Sequence, residues 1–541
     1  MAQPSKIQFG YRRHPDQARG DGDAAHHPVV VVGAGPVGLS LAIDLAQRGQ
    51  SVVLLDDADR IGEGSRAICF SKRSLEFWDR LGIGQRMVDK GVVWSVGKIF
   101  HGDSKLYQFN LLPEQGHKRP AFINLQQFYA EAYLVDRVEE LAAIDLRWRN
   151  KVVGLEQRND HVALTIQTPD GPYRLQAGFV VACDGARSSL RQMVGAEFAG
   201  QVFEDQFLIA DVKMTAEFPT ERWFWFDPPF HRHQSALLHK QPDGVWRIDL
   251  QLGWDADPEE ERRPERVIPR VQAMLGPDVP FELEWVSVYT FRCRRLERFV
   301  HGRVLFVGDS AHQVSPFGAR GGNGGVQDAD NLAWKLAAVV QGRAPIALVH
   351  TYDDERIPAA DENILNSTRA TDFITPKTDA ARAYRDAALA LAGQHAFARP
   401  LVNSGRLSRP ARLPDSPLNA DGDLWPDCLP PGTPAADAPV LHHGRPDWLL
   451  RHLSGPGFTL LAFGPDVPAL PGVSVVRVAP DALQDVRGLA IARYGAPPGA
   501  CVLLRPDQHI AAGFRAFDAR RIAAAVRHAT AQPDPAQQAV A

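Results

Sequence analysis

Apolar residues along this chain fall into three patterns, and each predicts a different kind of element. The first is the short unbroken run. Residues 28–32 (Pro-Val-Val-Val-Val) form one, as expected of a parallel strand buried on both faces. Helical spacing follows over residues 36–48, with Val37, Leu41, Leu45 and Ala46 on one side and Gly49 as the stop. Residues 51–55 supply a second strand, so the chain opens on a βαβ unit. Similar runs at 179–183 and 303–307 each end in a Gly/Asp turn. The third pattern is alternation with many aromatics, at 222–226, 235–239, 245–250 and 285–291, which predicts a mainly antiparallel sheet. Residues 328–397 read as helical. From 404 to 447 the composition shifts to Pro, Gly, Asp and Ala, the mark of a linker or extended wrap. Beyond it, 458–463, 473–478 and 501–504 read as strands, and 518–530 as a last helix with Asp518 at its N-cap.

These elements predict an α/β chain in five parts. Residues 1–27 are polar and read as a flexible arm. A Rossmann-type nucleotide-binding domain takes 28–200 and 291–400, the helical region included. A substrate-binding antiparallel sheet is inserted at 201–290. A linker spans 401–446, and a small α/β domain spans 447–541.

Composition narrows the function classes. Hydrophobic residues at 45% and charged residues at 23% suit a globular protein. A net charge of −4 gives no reason to expect a nucleic-acid or membrane partner. No apolar run is long enough to cross a bilayer, and the N-terminus lacks the apolar stretch of a secretion signal, so a cytoplasmic location is expected. The five cysteines are scattered, with no C-x-x-C pair, which argues against a disulfide framework and against a zinc site. No metal ligand set is expected.

The chemistry-bearing motifs start at the first turn. Val32-Gly33-Ala34-Gly35-Pro36-Val37-Gly38 runs from a strand into a helix. Gly33 permits the tight turn, Gly35 lets backbone amides approach a pyrophosphate beside Pro36, and Gly38 lets helix and sheet pack closely. Asp56, 23 residues after Gly33, is placed to accept hydrogen bonds from ribose hydroxyls, with Asp57 one place away. That pattern serves NAD and FAD equally. Leu305-Phe306-Val307-Gly308-Asp309 separates them, because a second strand there delivers a carboxylate suited to the ribityl chain of a flavin. Pro316 to Ala329, with Gly321, Gly322 and Asn323 at its centre, reads as a glycine-rich loop whose amides reach the isoalloxazine.

These blocks resemble the class A FAD-dependent aromatic hydroxylases, the p-hydroxybenzoate hydroxylase fold, and within them the longer phenol and 3-(3-hydroxyphenyl)propionate hydroxylase-type members. The likeness runs over about residues 28–395. It includes a D-G motif in which Asp184, Gly185 and Arg187 match a loop serving both FAD and NAD(P)H. By the same resemblance Arg66 and Gln127 (with Gln126 adjoining) lie near the FAD phosphates or ribityl chain, and Pro316 faces the flavin. Arg320 departs from the Gln or Lys of relatives, with anchoring of an anionic substrate and a solvent-facing position both open. The C-terminal domain resembles a thioredoxin-like unit lacking C-x-x-C, with a structural or dimerising role, so a homodimer is one expectation.

The resemblance implies an NADPH- or NADH-consuming monooxygenase. It hydroxylates a small, phenolic aromatic with O2 through a flavin C4a-hydroperoxide. Candidate substrate contacts on the inserted sheet are Trp225, Trp246 and Arg292, together with Arg320. Tyr289 and His239 are the candidates for hydrogen bonding to a substrate hydroxyl. A flavin halogenase, for which W-x-W-x-I-P is missing, a reductase of the same superfamily and a non-enzymatic flavin-binding protein are the alternatives.

Overall fold

The valine run lies at the middle of a sheet. The computed structural model describes residues 6–19, 23–64, 66–215, 218–402, 407, 409–464 and 466–533. In it, strand Ala25–Val32 lies between Gly171–Ala182 and Val52–Leu55, parallel to both, with Val29 to Val31 fully buried. Ile144–Arg147 continues the parallel set on one side and Val304–Phe306 on the other. Helix Pro36–Gln47 buries Leu39, Leu41, Ala42, Ile43 and Leu45 on this sheet. Each such aliphatic side chain contributes about 1.5–3 kcal/mol by leaving water, enough to fix which face turns inward.

The antiparallel sheet is larger than the alternation predicts. Its order is His312–Gln313, Phe281–Leu296, Phe198–Met214, Val245–Gln251, Ser235–Lys240, Arg222–Phe226, Val96–His101 and Ser104–Asn110. The last two strands come from far upstream, and Val96–His101 pairs parallel with Arg222–Phe226. A pairing over more than a hundred residues leaves no local signature. One face, carrying Trp223, Trp225, Trp246 and Leu238, buries against helix Pro264–Leu275. The other, carrying Phe207, Leu237, Phe291 and Phe226, packs on Phe317 and on helices Ala347–Ile374 and Asp379–Gln394.

Two expectations are corrected. The glycine-rich segment is not a loop beyond residue 320, since helix Gly321–Val340 begins there. Its glycines suit close packing, because a Cβ at Gly325 would lie 2.8 Å from Val37 and 3.0 Å from the Cα of Gly308. The 328–397 stretch is accordingly the end of this helix followed by two more. The expected flexible arm is docked over residues 6–19: Phe9 stacks on Trp148 at 4.5 Å, and Asp16 pairs with Arg147 and His27. Residues 1–5 and 20–22 of that arm lie outside the described residues, as do 403–406 and 408 of the linker. From 409 onward the linker is a wrap. Its backbone bonds to the last sheet strand through Ala420 to Ala511, Asp423 to Gly513 and Gly432 to Ile510.

The C-terminal sheet runs Val473–Val478, Phe458–Phe463, Cys501–Leu504, Ile510–Phe514, the first two parallel and the others antiparallel. Asp518 caps the last helix, accepting from the amides of Arg520 and Arg521. This unit is fastened to the rest by buried charge. Glu355 receives Arg505, Lys335 at 2.6 Å and Ser416, and Arg505 also holds Asp507 at 2.5 Å. Lys335, Glu355, Arg505 and Asp507 are fully excluded from solvent. Burial pushes the Lys335 ammonium down to about 8, with Glu355 opposing. Among the described residues no helix is long and apolar enough to cross a membrane.

Removing one partner of such a network strands the others in the interior. Arg505→Met is expected to destabilise the fold by about 3–5 kcal/mol, read as a lowered midpoint in chemical denaturation followed by tryptophan fluorescence. An unchanged midpoint is the opposing result.

Candidate active site

Four adjacent parallel strands end at one edge, and each delivers a glycine or an aspartate there. In spatial order these are Asp309 after Val304–Phe306, Asp184 after Gly171–Ala182, Gly33 after Ala25–Val32 and Asp56 after Val52–Leu55. The order along the chain is different, so only the topology assembles the set.

Gly33 has φ 107, and a Cβ on it would lie 2.3 Å from the carbonyl oxygen of Cys183. A Cβ on Gly38 would lie 1.9 Å from the oxygen of Gly33. Neither place admits a side chain. Gly35 is the opposite case, since nothing stands within 4 Å of its Cβ position. The free amides that open helix Pro36–Gln47 therefore face open space. Asp56 braces this turn, accepting from the amides of Ala34 at 2.6 Å and Ala58 at 2.8 Å, while burial raises its pKa.

Asp309 lies in a single turn, Gly308–Ser310. Its carboxylate has no hydrogen-bond partner among the described residues, and desolvation raises its pKa while His312 and Arg66 pull it down. The turn itself is held rigidly. Asp328 accepts from the Gly308 amide at 3.1 Å, from His312 at 2.6 Å and from Arg356 at 2.7 Å. Burial would raise the Asp328 carboxyl, but His312 and Arg356 hold it at about 2. His312 is thus a buried structural group. An acid without a protein partner, at an edge where glycines clear the approach to helix amides, fits the ribityl chain of FAD beside its pyrophosphate.

The D-G segment flanks this turn. Asp184 accepts from the Leu190 amide at 3.2 Å, Gly185 has φ 74, and Arg187 is exposed. Two residues that sequence reading missed join this loop to the Asp309 turn. Arg191 donates to the carbonyls of Ala186 and Ser310, and Gln313 donates to Ala186. Neither belongs to a motif, so no local signal marked them.

Gln127 and Arg66 lie around a second loop. Gln127 accepts from the Ala67 amide at 3.1 Å and donates to Glu131 at 2.7 Å, so its amide is spent on the protein. Glu131, also missed, accepts from Gly62 at 2.6 Å. Burial pushes the Glu131 carboxyl up to about 7, against Gln127, the Gly62 amide and the charge of Arg66. The exposed Arg66 side chain lies within electrostatic reach of Asp309, Tyr289 and Glu131. Ser65 beside it lies outside the described residues.

The start of helix Gly321–Val340 reaches the same region. A Cβ on Gly322 would touch Ala67 at 3.5 Å, and one on Gly321 would touch Val314 at 3.5 Å. The Asn323 side chain is fully engaged by Ser71, Ser74, Cys69 and Ala319, leaving its backbone amide as the group a ligand could use. Arg320 does not point to solvent: it is buried and donates to Asn363. Pro316 is exposed beside the buried Phe317.

The substrate candidates separate. Trp225 and Trp246 sit on the sheet face turned to helix Pro264–Leu275, away from this edge, because their strand positions alternate with those facing it. Tyr289 and His239 share the correct face but are not neighbours. The register runs His239–Arg247–Asp211–Trp285, while Tyr289 is four residues from Trp285, so the two lie on the order of 20 Å apart. Tyr289 is close to Asp309, and desolvation and that charge push its phenol up to about 12 against Arg292 and Arg66. Arg292 is exposed.

A parallel sheet with a glycine turn, a ribose-side acid and a second-strand aspartate defines a flavoprotein with one dinucleotide site. The comparisons with known proteins agree. A family model described as FAD binding domain matches residues 26–367. A flavin-dependent monooxygenase of Mycobacteroides abscessus is 30% identical over 89% of this chain and 96% of its own length. A probable NADH-specific resorcinol 4-hydroxylase of Rhodococcus jostii is 30% identical over 81% of this chain and 79% of its own. The solved flavin-dependent monooxygenase PieE, in complex with FAD and substrate, superposes with a TM-score of 0.78 at 22% identity over 94% of this chain and 99% of its own. The chain belongs to the FAD-dependent monooxygenases of the class A aromatic hydroxylase family. It is an enzyme that binds FAD and takes electrons from a reduced nicotinamide.

Two outcomes follow. Asp309→Ala should lower the flavin retained per chain with the fold intact, measured by the flavin-to-protein absorbance ratio and circular dichroism; full retention is the opposing result. Glu131 holds its proton up to about pH 7 in the fold but releases it near 4.5 when unfolded. Stability therefore falls as pH rises between those values, and the loss is complete above 7. In Glu131→Gln that decline should flatten when melting temperatures are compared from pH 5 to 8.

Proposed function

We propose that this enzyme hydroxylates a phenolic ring, with O2 as co-substrate, and that the ring's polar substituent docks against Arg222, His239 and Asp249. One observation carries the reading. Arg222 Nη1, His239 Nδ1 and Asp249 Oδ1 are buried without a hydrogen-bond partner among the described residues. Unpartnered buried polar atoms cost about 1–3 kcal/mol each, so three residues of this kind on one sheet face indicate a ligand. The cluster lies within electrostatic reach of Cys69, whose carbonyl accepts from Asn323 at the start of helix Gly321–Val340. That supports a position at the flavin end of the sheet.

Bound FAD, once reduced by the nicotinamide, supplies the activated oxygen. The protein's own groups orient the ring and manage its proton. His239 Nε2 stands 3.6 Å from Asp249 Oδ2, so we assign its proton there, leaving Nδ1 to accept from a substrate hydroxyl. Burial, with Arg222 adding to it, holds the His239 imidazole at about 4 against Asp249. A neutral imidazole with so low a pKa polarises a phenol by hydrogen bonding and does not strip its proton outright. Tyr289, with its pKa pushed to about 12, remains a donor on the ribityl side. Phe207, Phe291 and Phe317, with ring centres 5.1–5.2 Å apart, form an apolar wall behind Pro316 that excludes water.

On the same reading, Gly33, Gly35, Pro36, Gly38, Asp56, Asp184, Arg187, Gly308, Asp309, Gly321, Gly322 and the Asn323 amide line the FAD site, with Arg66 near its phosphates. Gln127 acts through the loop at Ala67. The strand order of the C-terminal sheet supports a thioredoxin-like unit, and without a C-x-x-C pair it performs no dithiol exchange. Burial of its charged network against the helices favours a structural role over dimerisation. The reaction belongs in the cytoplasm, where reduced nicotinamides are supplied.

The test is oxidation of NADH and NADPH by the yellow protein with phenols, hydroxybenzoates and resorcinol, followed by product analysis. Aromatic-stimulated oxidation with an oxygenated product is expected; hydrogen peroxide as the sole product with every aromatic overturns the proposal. His239→Ala should lower kcat/KM for hydroxylation about tenfold or more and divert electrons to peroxide, with flavin content unchanged.

A further inference from the structure

We infer that the C-terminal unit carries a binding site for one transition-metal ion of the zinc class, formed by His442, Asp447 and His452. The sequence led to the expectation of no zinc site and no metal ligand set, because these three ligands belong to no spaced motif. Their donor atoms all lie within 4.8 Å of one another.

The local fold explains the convergence. Strands Pro439–His442 and Arg445–Trp448 form a hairpin closed by His443 and Gly444, both at positive φ (50 and 74), as a tight two-residue turn requires. In its register Val440 faces Asp447 and His442 faces Arg445, which sets His442 and Asp447 diagonally on one face. Helix Leu449–His452 begins directly after the hairpin and returns His452 over that face. Asp447 Oδ1 accepts from the Trp448 amide at 2.9 Å, so Oδ2 is turned to His452 Nε2 at 3.1 Å. The His442 ring stands edge-on to that of His452, their centres 4.7 Å apart, and the exposed His443 ring lies 4.1 Å from His442. All three histidines line a cavity of about 670 Å³.

Two imidazoles and a carboxylate suit zinc, nickel or copper, and leave a fourth position for water or His443. A tetrahedral ion with bonds of about 2.0–2.2 Å holds its donors roughly 3.4 Å apart. The donors, all within 4.8 Å of one another, would have to draw together to that spacing as an ion binds. Arg451 is the nearby cation, 3.4 Å from Asp447 Oδ1, and its side chain is 71% exposed, free to move aside. Calcium and magnesium, which want oxygen ligands in larger number, are not served here. A bound ion would pin the hairpin to the helix that follows it.

The test uses the full-length, FAD-loaded protein made without a polyhistidine tag and stripped with a chelator. Cobalt(II) should bind at one equivalent with d–d absorption to the red of the flavin bands, and one equivalent of zinc should displace it. Zinc should also raise the melting temperature where magnesium does not. His442→Gln and His452→Gln should each weaken cobalt binding about 10- to 100-fold while retaining flavin and the metal-free melting temperature. No cobalt band in the native protein, an undiminished band in both variants, or an equal response to magnesium overturns the assignment. If either variant loses flavin, Asp447→Asn serves for the same comparison.

Discussion

The site depends on one buried carboxylate. Asp328 projects from the second turn of helix Gly321–Val340 and accepts from the Gly308 amide, His312 and Arg356. Those three partners come from the turn that carries Asp309, the strand that follows it and helix Ala347–Ile374. A carboxylate fully removed from water is costly alone, and here two side-chain donors and one amide answer it. The consequence reaches further than stability. With Gly308 fixed, the Asp309 side chain leaves the turn in one direction, toward the edge where the parallel strands end. A lone acid on a mobile loop could not hold a polyol chain in register.

The residue just before Arg356 extends the same logic to the C-terminal unit. Glu355 and Arg356 are adjacent on one helix and turn to different neighbours: Arg356 to Asp328, Glu355 to Arg505, Lys335 and Ser416. Helix Gly321–Val340 supplies both Asp328 and Lys335. Two helices therefore carry the cofactor turn and the C-terminal sheet at once, and Arg73 and Arg80, both paired with Asp330, add a further tie by donating to the carbonyls of Asp507 and Pro506. This is why the C-terminal sheet is fastened to the helices that carry the cofactor site and is not a tethered accessory.

What sequence could and could not reveal follows the range of the interaction. The strands at 458–463, 473–478 and 501–504 and the Asp518 cap were legible because burial pattern and capping are local. So were the turns that carry Gly33, Asp56 and Asp309, because a strand that ends in a glycine or aspartate turn is a local pattern. The glycine-rich segment misled, because glycines that let a helix pack against Val37 and Gly308 look the same in sequence as glycines of an open loop. Trp225 and Trp246 misled for a different reason: alternation tells which residues share a face but not which face meets the cofactor. Arg191, Gln313 and Glu131 act through partners more than a hundred, or several tens, of residues away, and nothing near them in the chain announces it.

The division of the antiparallel sheet has a chemical logic of its own. Tyr289 and His239 lie on one face but at separate places, one beside Asp309 and one beside Asp249. Desolvation moves both away from neutrality, upward for the phenol and downward for the imidazole, so each stays uncharged at physiological pH. Uncharged groups orient a ligand without adding a formal charge to a poorly solvated pocket, where an unpaired one would be expensive. Charged groups accompany each of them, Arg292 and Arg66 near Tyr289, and Arg222 with Asp249 near His239. On the proposed reading, a neutral imidazole between Arg222 and Asp249 orients the ring's polar substituent by hydrogen bonding and adds no charge of its own.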